Sequence, residues 1–437
     1  MTPGPPATGF SNRPADWLHV EEASSRILRA AVPLTSERLP LPAALGRALA
    51  QRVVATATLP PWDNSAMDGY AVRGADVRGA SPEAPVELEV TAIVRAGGDA
   101  DHSVGEGHAV RIMTGAPVPS GADTVIRVED TDAEAVDGTV RIFDDRDVGR
   151  HIRPAGQDMR HGATLLEAGH SITGGTLGVL AAAGLSEAVV HQTPSVAILP
   201  TGDELRKPGD YQDVRRGLGV PESNGGMLSA MVAAIGARPV ELGIAPDEPD
   251  ELARLVETGA GADVLVTIGG ASMGEADFVK GVLDAAGFEL DFWRVKMRPG
   301  SPVSFGWLPT DNGRQAVFGL PGNPSSAFVT FEAFVRPFLL ALSGHRRVAR
   351  RRVTCRAGER METPAELTYF QRVQLRRDGM HTIADLTGPQ LSGLVSGLAG
   401  ADGLAVVPPE TMAVQAGDPV EVMLLDTGPG ALEVDVG

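Results

Sequence analysis

The chain has 437 residues, 43% of them hydrophobic and 22% charged, an ordinary globular composition that suggests roughly three domains and excludes a disordered chain. The formal net charge of −18 argues against a general nucleic-acid binder, and the single cysteine, Cys355, excludes an internal disulfide or a thiolate metal cluster. The start is rich in Pro, Gly and Ser without a hydrophobic signal core, and no apolar run approaches the ~18 residues of a membrane span, so a cytoplasmic protein without membrane contact is expected.

Helical apolar spacing over 16–31 and 42–51 (Trp17, Val20, Ile27, Leu28; Leu45, Leu49) predicts that the chain opens with helices. From 56 to about 154, Gly, Pro and Asp separate short β-branched runs at 70–72, 86–94, 123–128 and 139–143, the pattern of an all-β insertion. A small-residue helix at 173–183 follows, and the opening helices are its expected partner, with the β segment inserted between the halves of one helical unit.

From 194 to about 342, strands at 196–200, 239–244, 263–268 and 316–320 alternate with helices at 225–235, 249–258, 277–286 and 325–342. That alternation predicts a mainly parallel sheet with helices on both faces. Residues 351–425 return to short strands at 367–375, 381–386, 403–407 and 419–425, read as a small antiparallel barrel. The fold class is therefore multidomain α/β plus all-β. The expected domains are a discontinuous helical linker (14–55 and 158–192), an inserted β domain (56–157), a three-layer α/β domain (193–345) and a C-terminal barrel (346–428).

Ligands of an open parallel sheet bind beyond the carboxyl ends of its strands. The loops there are polar: 201–204, 247–248, 269–277 and 321–326. Glycines in 269–277 let backbone N–H groups approach an anion beside Ser272 and a helix N-terminus. The dipole adds only ~0.3–1 kcal/mol, so tight anion binding needs cations. Arg294, Lys296 and Arg298 alternate along a predicted strand and so share a face, which serves equally as a solvated edge. Glu204, Asp247 and Asp277, taken singly, suit helix caps; together beside phosphate-type loops they suit a hard cation such as Mg²⁺. A Pro-started polar turn at 60–71 and the loops 113–117 and 153–158 form a second polar set in the β insertion. Read this far, the residues indicate an anion and Mg²⁺ site of unassigned chemistry.

The blocks DNSAMDGYA (63–71), RIMTGAPVPSGADTVIRVED (111–130), IRPAGQDM (152–159), PTGDEL (200–205), GGASMGEADFVK (269–280) and GLPGNPSSA (319–327), in this order and spacing, resemble the molybdopterin molybdenumtransferases of the MoeA type, related to the C-terminal domain of gephyrin. The resemblance runs from about 16 to 425. It implies a four-part subunit in a homodimer, with a cleft between the α/β domain of one copy and the β insertion of the other. The implied reaction is Mg²⁺-dependent insertion of molybdate into adenylylated molybdopterin with release of AMP, giving molybdenum cofactor, the substrate being handed over by a molybdopterin adenylyltransferase.

Residue by residue, the resemblance implies catalytic roles for Asp63, Asp158, Glu204, Asp247 and Asp277, the last three as metal ligands. It implies substrate binding by Thr114 and Arg153 in the insertion, and by Gly270, Ser272, Gly274, Lys280, Arg294, Lys296, Arg298, Pro321, Gly322 and Asn323 in the α/β domain. Arg372 and Ser392 align with cleft-facing positions of the barrel. The chain departs from the usual Lys-Pro-Gly-Lys-Pro in reading Arg298-Pro299-Gly300-Ser301-Pro302. A guanidinium fork is not equivalent to an ammonium point charge, and Ser301 removes a cation that Lys296 would replace. Two other readings are the pathway's adenylyltransferase, which lacks the insertion and barrel, and a non-enzymatic scaffold or carrier of the gephyrin type. The joint presence of the five acids argues against the scaffold.

Overall fold

The computed structural model describes residues 17–98, 101–269, 277–311, 313–363 and 366–425. They fall into two compact units. One holds the described residues up to Ala50, Gly169–Thr173 and those from Val189 onward; the other holds Gln51–Ala168 and Gly174–Ala188.

The first unit opens with α1 (Val20–Ala30), where Val20, Ala23 and Ile27 form the buried stripe and Glu21, Glu22 and Arg29 sit at the helix ends their charges favour. It packs against the helical run 324–342, and its buried stripe belongs to the larger core cluster of the α/β sheet. The helix expected at 42–51 shrinks to one 3₁₀ turn, Leu41–Ala44. Gly46, at φ 80°, then turns the chain.

The second unit is built on a five-stranded sheet: β1 (Gly69–Val72), β2 (Val86–Val94), β3 (His108–Ile112), β4 (Thr124–Arg127) and β5 (Thr139–Ile142). The order is β4-β1-β3-β2-β5. The strand β3 was not predicted. Central β1 is buried on both faces, Tyr70 and Val72 in one core and Ala71 in the other. Gly69 pairs with Ile112 on one side and Arg127 on the other, and an added Cβ would overlap the Ile126 carbonyl oxygen. Gly69→Ala is therefore expected to destabilise this unit by about 3–5 kcal/mol, because main chain cannot yield as a side chain does. Urea unfolding followed by a probe in this unit would measure it; an unchanged midpoint would refute the close-approach account. The helix α2 (Gly174–Ala182) completes the unit.

The first unit continues with a six-stranded sheet. Its strands are β6 (Ser195–Pro200), β7 (Arg238–Glu241), β8 (Val264–Ile268), β9 (Glu289–Trp293), β10 (Ser304–Thr310) and β11 (Gly313–Leu320), in the order β7-β6-β8-β11-β10-β9. The four strands β7, β6, β8 and β11 run parallel, as expected. The antiparallel β10 and β9, which were not predicted, extend the sheet through a hairpin. Helices α3 (Asn224–Ala234), α4 (Pro249–Gly259), α5 (Asp277–Ala285), α6 (Pro324–Thr330) and α7 (Arg336–Leu342) cover it. In α4, Pro249 opens the helix, Asp250 and Glu251 occupy its first turn, and Leu252, Leu255, Val256 and Gly259 form the buried face.

By length and composition the run Pro324–Leu342 could cross a membrane, against the expectation that no segment approaches this; it is 72% buried, with Phe331, Phe334, Phe338 and Leu339 inside the larger core cluster. Its apolarity is that of a helix enclosed by protein on most sides.

The chain ends in a closed barrel of β12 (Arg352–Ala357), β13 (Thr368–Asp378), β14 (His381–Leu386), β15 (Gly403–Val407) and β16 (Pro419–Leu424). The order β13-β14-β12-β16-β15 is closed by β15 pairing back onto β13. Short strand Met297–Arg298 adds to the barrel edge beside Thr368 and Tyr369, joining barrel and α/β sheet within the one unit.

Candidate active site

In the β unit, three motif loops are tied together by main-chain hydrogen bonds. Asn64 and Ser65 pair antiparallel with Arg153 and Ile152. The Ser65 N–H donates to the Ala116 carbonyl at 3.0 Å, and the Ser65 carbonyl accepts from Gly115 N–H at 2.8 Å. On the other side, Gly156 N–H reaches the Pro60 carbonyl at 2.9 Å and Asp158 N–H the Leu59 carbonyl at 3.1 Å. On this frame Asp63, Thr114, Arg153 and Asp158 are all exposed. Among the described residues the Asp63 carboxylate is held at one oxygen, its Oδ1 accepting the Ala155 N–H at 2.8 Å.

Asp68, which the sequence reading passed over, accepts both the Thr114 N–H at 2.6 Å and the Thr114 hydroxyl at 2.8 Å on Oδ1. The main-chain bond first and the hydroxyl bond second hold its carboxyl below the usual carboxylate range. Its only signal in the sequence is its place as the second acid of DNSAMDGYA. Behind the loops, Asp147 is 1% exposed, accepts Arg127 Nε at 2.9 Å, and lies 2.9 Å from His151 Nε2. His151, at φ 67°, in turn accepts the Ala66 N–H on its carbonyl at 2.8 Å.

In the other unit the loops beyond the parallel strands leave side by side. Thr201 N–H extends the ladder to the Ile268 carbonyl (2.9 Å), Gly202 N–H to the Ala245 carbonyl (3.1 Å) and Gly269 N–H to the Leu320 carbonyl (3.0 Å). Asp203 and Asp247 clasp each other: Asp247 N–H donates to Asp203 Oδ1 at 3.1 Å, and Asp203 N–H to Asp247 Oδ2 at 3.4 Å. Glu204 is exposed on the same loop. Asp203 and Asn224 are further residues missed in the sequence; the Asn224 amide holds the Gly322 carbonyl at 2.7 Å. Gly270, Ser272, Gly274 and the Asp277 side chain lie outside the described residues. Among the described residues no three His, Cys, Asp or Glu side chains gather.

The predicted row of cations is not one strand. The strand β9 ends at Trp293, and Arg294 adopts φ 73°, stacking over the Trp293 ring at 4.0 Å and the Trp17 ring at 5.2 Å. That left-handed residue breaks the alternation on which the shared face depended. Lys296 bonds through its main chain to Leu18 and Thr368. Lys280 is 6% exposed, with Nζ 5.1 Å from the Trp293 ring centroid. Arg298 is exposed at the junction with the barrel, paired with Tyr369. The Ser301 hydroxyl, where the resemblance led a lysine to be expected, closes its own turn onto the Met297 carbonyl.

Arg372, on β13, is 1% exposed. One Nη donates to the Pro389 carbonyl at 2.7 Å, while Nε has no hydrogen-bond partner. The guanidinium makes no ion pair among the described residues, and burial lowers its pKa from the ordinary arginine value. The segment 387–397 folds over it, Gln390 bonding both the N–H and the carbonyl of Arg372. Ser392 on that segment accepts from the Asn323 amide at 3.0 Å, and its carbonyl accepts the Ser325 N–H at 3.0 Å. Thus Asn323, Ser392 and Arg372 are linked through the segment 387–397, and Arg298 lies on the short strand that joins the α/β sheet to the barrel. A cavity of about 640 Å³ between α4 and α5 is walled by Val256, Phe278, Val282 and Leu308, and its charged lining residues are Asp250 and Glu257. Its acidic rim disfavours an anion.

Three family models match in succession: the MoeA N-terminal region (domain I and II) over 18–184, a probable molybdopterin binding domain over 197–341, and the MoeA C-terminal region (domain IV) over 354–425. Molybdopterin molybdenumtransferase 2 of Mycobacterium tuberculosis is 36% identical over 91% of this chain and 96% of its own length. The molybdopterin molybdenumtransferase of a Nostoc species is 35% identical over 89% of both chains. A crystal structure of the molybdopterin biosynthesis MoeA protein from Pyrococcus horikoshii covers 94% of this chain and all of its own, with TM-score 0.76 and 25% identity. With models matching most of its length and relatives aligned nearly end to end, the chain belongs to the MoeA family of molybdopterin molybdenumtransferases, transferases of molybdenum cofactor biosynthesis.

Proposed function

We propose that this chain takes adenylylated molybdopterin and molybdate, splits the bond between the pterin phosphate and AMP with Mg²⁺, and inserts molybdenum into the pterin dithiolene. The single observation that carries the reading is Arg372: a buried guanidinium without a carboxylate partner among the described residues, roofed by the segment that binds Asn323, is a cation kept for an incoming anion. A planar fork suits tetrahedral oxyanions, and Arg298 stands on the short strand that joins the α/β sheet to the barrel.

The donor set fits Mg²⁺. Asp203 and Asp247 are hard oxygen ligands drawn together by their reciprocal bonds, each with a second oxygen outside that clasp, and Mg²⁺ commonly takes one or two carboxylates plus phosphate oxygens. Glu204 and Asp247, with Asp277, are the proposed metal ligands, and Asp203 joins them. Bound there, Mg²⁺ would neutralise charge on the phosphates. The chain's own residues do the remaining work: the glycine-rich ends of β8 and β11 approach the phosphates, Arg372 and Arg298 hold the anion, and Asp63 and Asp158 orient reacting oxygens. Thr114 and Arg153 bind the substrate from the insertion; Pro321, Gly322, Asn323, Ser392, Lys280, Arg294 and Lys296 complete the proposed contacts.

The four-part domain division, the homodimer, the cytoplasmic setting and hand-over from an adenylyltransferase belong to the same reading; the boundaries of the matched models, 18–184, 197–341 and 354–425, support the division. The test is AMP release from adenylylated molybdopterin by the purified protein. AMP is expected only when Mg²⁺ and molybdate are both present. Release without Mg²⁺ would overturn the metal assignment, and binding without release would favour the carrier.

A further inference from the structure

An ionised carboxylate has no proton to give, so at the contact between Asp68 and Thr114 the hydroxyl is the donor. Main-chain N–H and hydroxyl converge on the same Oδ1, at 2.6 and 2.8 Å. Both donors of Thr114 are thereby committed to the Asp68 carboxylate. Thr114 is exposed, and its Oγ1 has only lone pairs left to offer. The pair is held from both sides: the Asp68 carbonyl accepts Val128 N–H at 3.2 Å, the neighbouring Gly69 is clamped between β3 and β4, and Gly115 N–H is tied to the Ser65 carbonyl.

We propose that Asp68 is a positioning residue that fixes Thr114 as a hydrogen-bond acceptor, so that this loop reads a donor on the substrate, a ring N–H or amino group of the pterin or the nucleobase. This rests on the placement of Thr114 in the substrate site. A phosphate oxygen at Thr114 would set lone pair against lone pair, since neither its hydroxyl nor its N–H is available. Exposed Arg153, joined to the same frame through Asn64, suits a phosphate instead.

Four variants and one double variant test it with adenylylated molybdopterin, reading kcat and KM separately with the unfolding midpoint as control. Thr114→Val and Asp68→Ala are each expected to raise KM about tenfold with kcat within about twofold, the pattern for losing one ground-state hydrogen bond. Their combination is expected to remain near tenfold, because both remove the same contact. Asp68→Asn should recover KM to within about threefold of wild type, its amide oxygen accepting the same two donors, and Thr114→Ser should do likewise. A collapse of kcat in Asp68→Asn would show that Asp68 acts on the reacting atoms instead. A double variant near hundredfold would show independent roles. Should Asp68→Ala fail to fold, Thr114→Ser as harmful as Thr114→Val still overturns the proposal. An unaffected Thr114→Val refutes the placement of Thr114 itself, whereas a harmful Thr114→Val beside a harmless Asp68→Ala refutes only the positioning role.

Discussion

Replacing Arg372 by methionine is expected to cut turnover by about 10²–10³-fold while leaving the unfolding midpoint at or above that of the wild type. The opposite signs follow from one geometry. A guanidinium 1% exposed, with Nε unpartnered and no ion pair among the described residues, carries a desolvation cost that none of them offsets. Methionine has a similar reach, no charge, and freedom to adapt to the space beneath segment 387–397. The hydrogen bond that is lost, to the Pro389 carbonyl, is worth about 1.5–3 kcal/mol for a charged donor, within the several kcal/mol that burying an unpaired ion costs. Stability given up for a charge that the fold does not use is the mark of a functional cation. Melting curves and steady-state kinetics on the same preparation decide it. A variant that melts several degrees lower yet turns over normally would make Arg372 a structural residue and remove the chief support for the anion site.

Asp63→Asn is expected to lower turnover by on the order of 10²–10⁴, the range for loss of a positioned acid–base group, with an unchanged melting temperature. The amide oxygen can accept the Ala155 N–H that Oδ1 accepts now, so the loop frame survives. What changes is the charge and basicity of the exposed second oxygen. Near-wild-type rates would exclude Asp63 from the chemistry and leave it as the anchor of the 152–159 loop.

The parts of the fold written by period and punctuation were legible. The parallel strands β6 and β8 and the 316–320 end of β11 are mainly apolar runs next to glycine or proline, and α4 carries its own start signals in Pro249 and Asp250. The misses have local causes. The strand β3 is five residues long with an arginine and a histidine in it, so alternation alone could not separate it from loop. The strand β10 contains Pro309, which ordinarily demotes a strand; it pairs with Arg314 at the end of the hairpin, next to the turn. Trp293 and Arg294 show no breaker, and the left-handed turn there is accompanied by stacking of Arg294 on two indoles, one of them 277 positions away in sequence at Trp17.

The site divides in the same way. Asp63, Thr114, Arg153 and Asp158 could be named because they sit in specific blocks. Asp68 and Asp203 are equally near those blocks, but only hydrogen-bond geometry reveals their partners. Arg372 could be named only through the family resemblance, while the lack of a counter-charge among the described residues, which gives it meaning, is a tertiary fact.

The central claim is transfer of molybdenum, and the most direct test is to read the Mg²⁺ and molybdate reaction for metal. The purified chain is incubated with adenylylated molybdopterin, molybdate and Mg²⁺, and the pterin is recovered and assayed for molybdenum and for AMP. The account predicts molybdenum-loaded pterin and free AMP in equal amounts. Pterin recovered with its AMP attached and without molybdenum, after demonstrable binding to the protein, would contradict it.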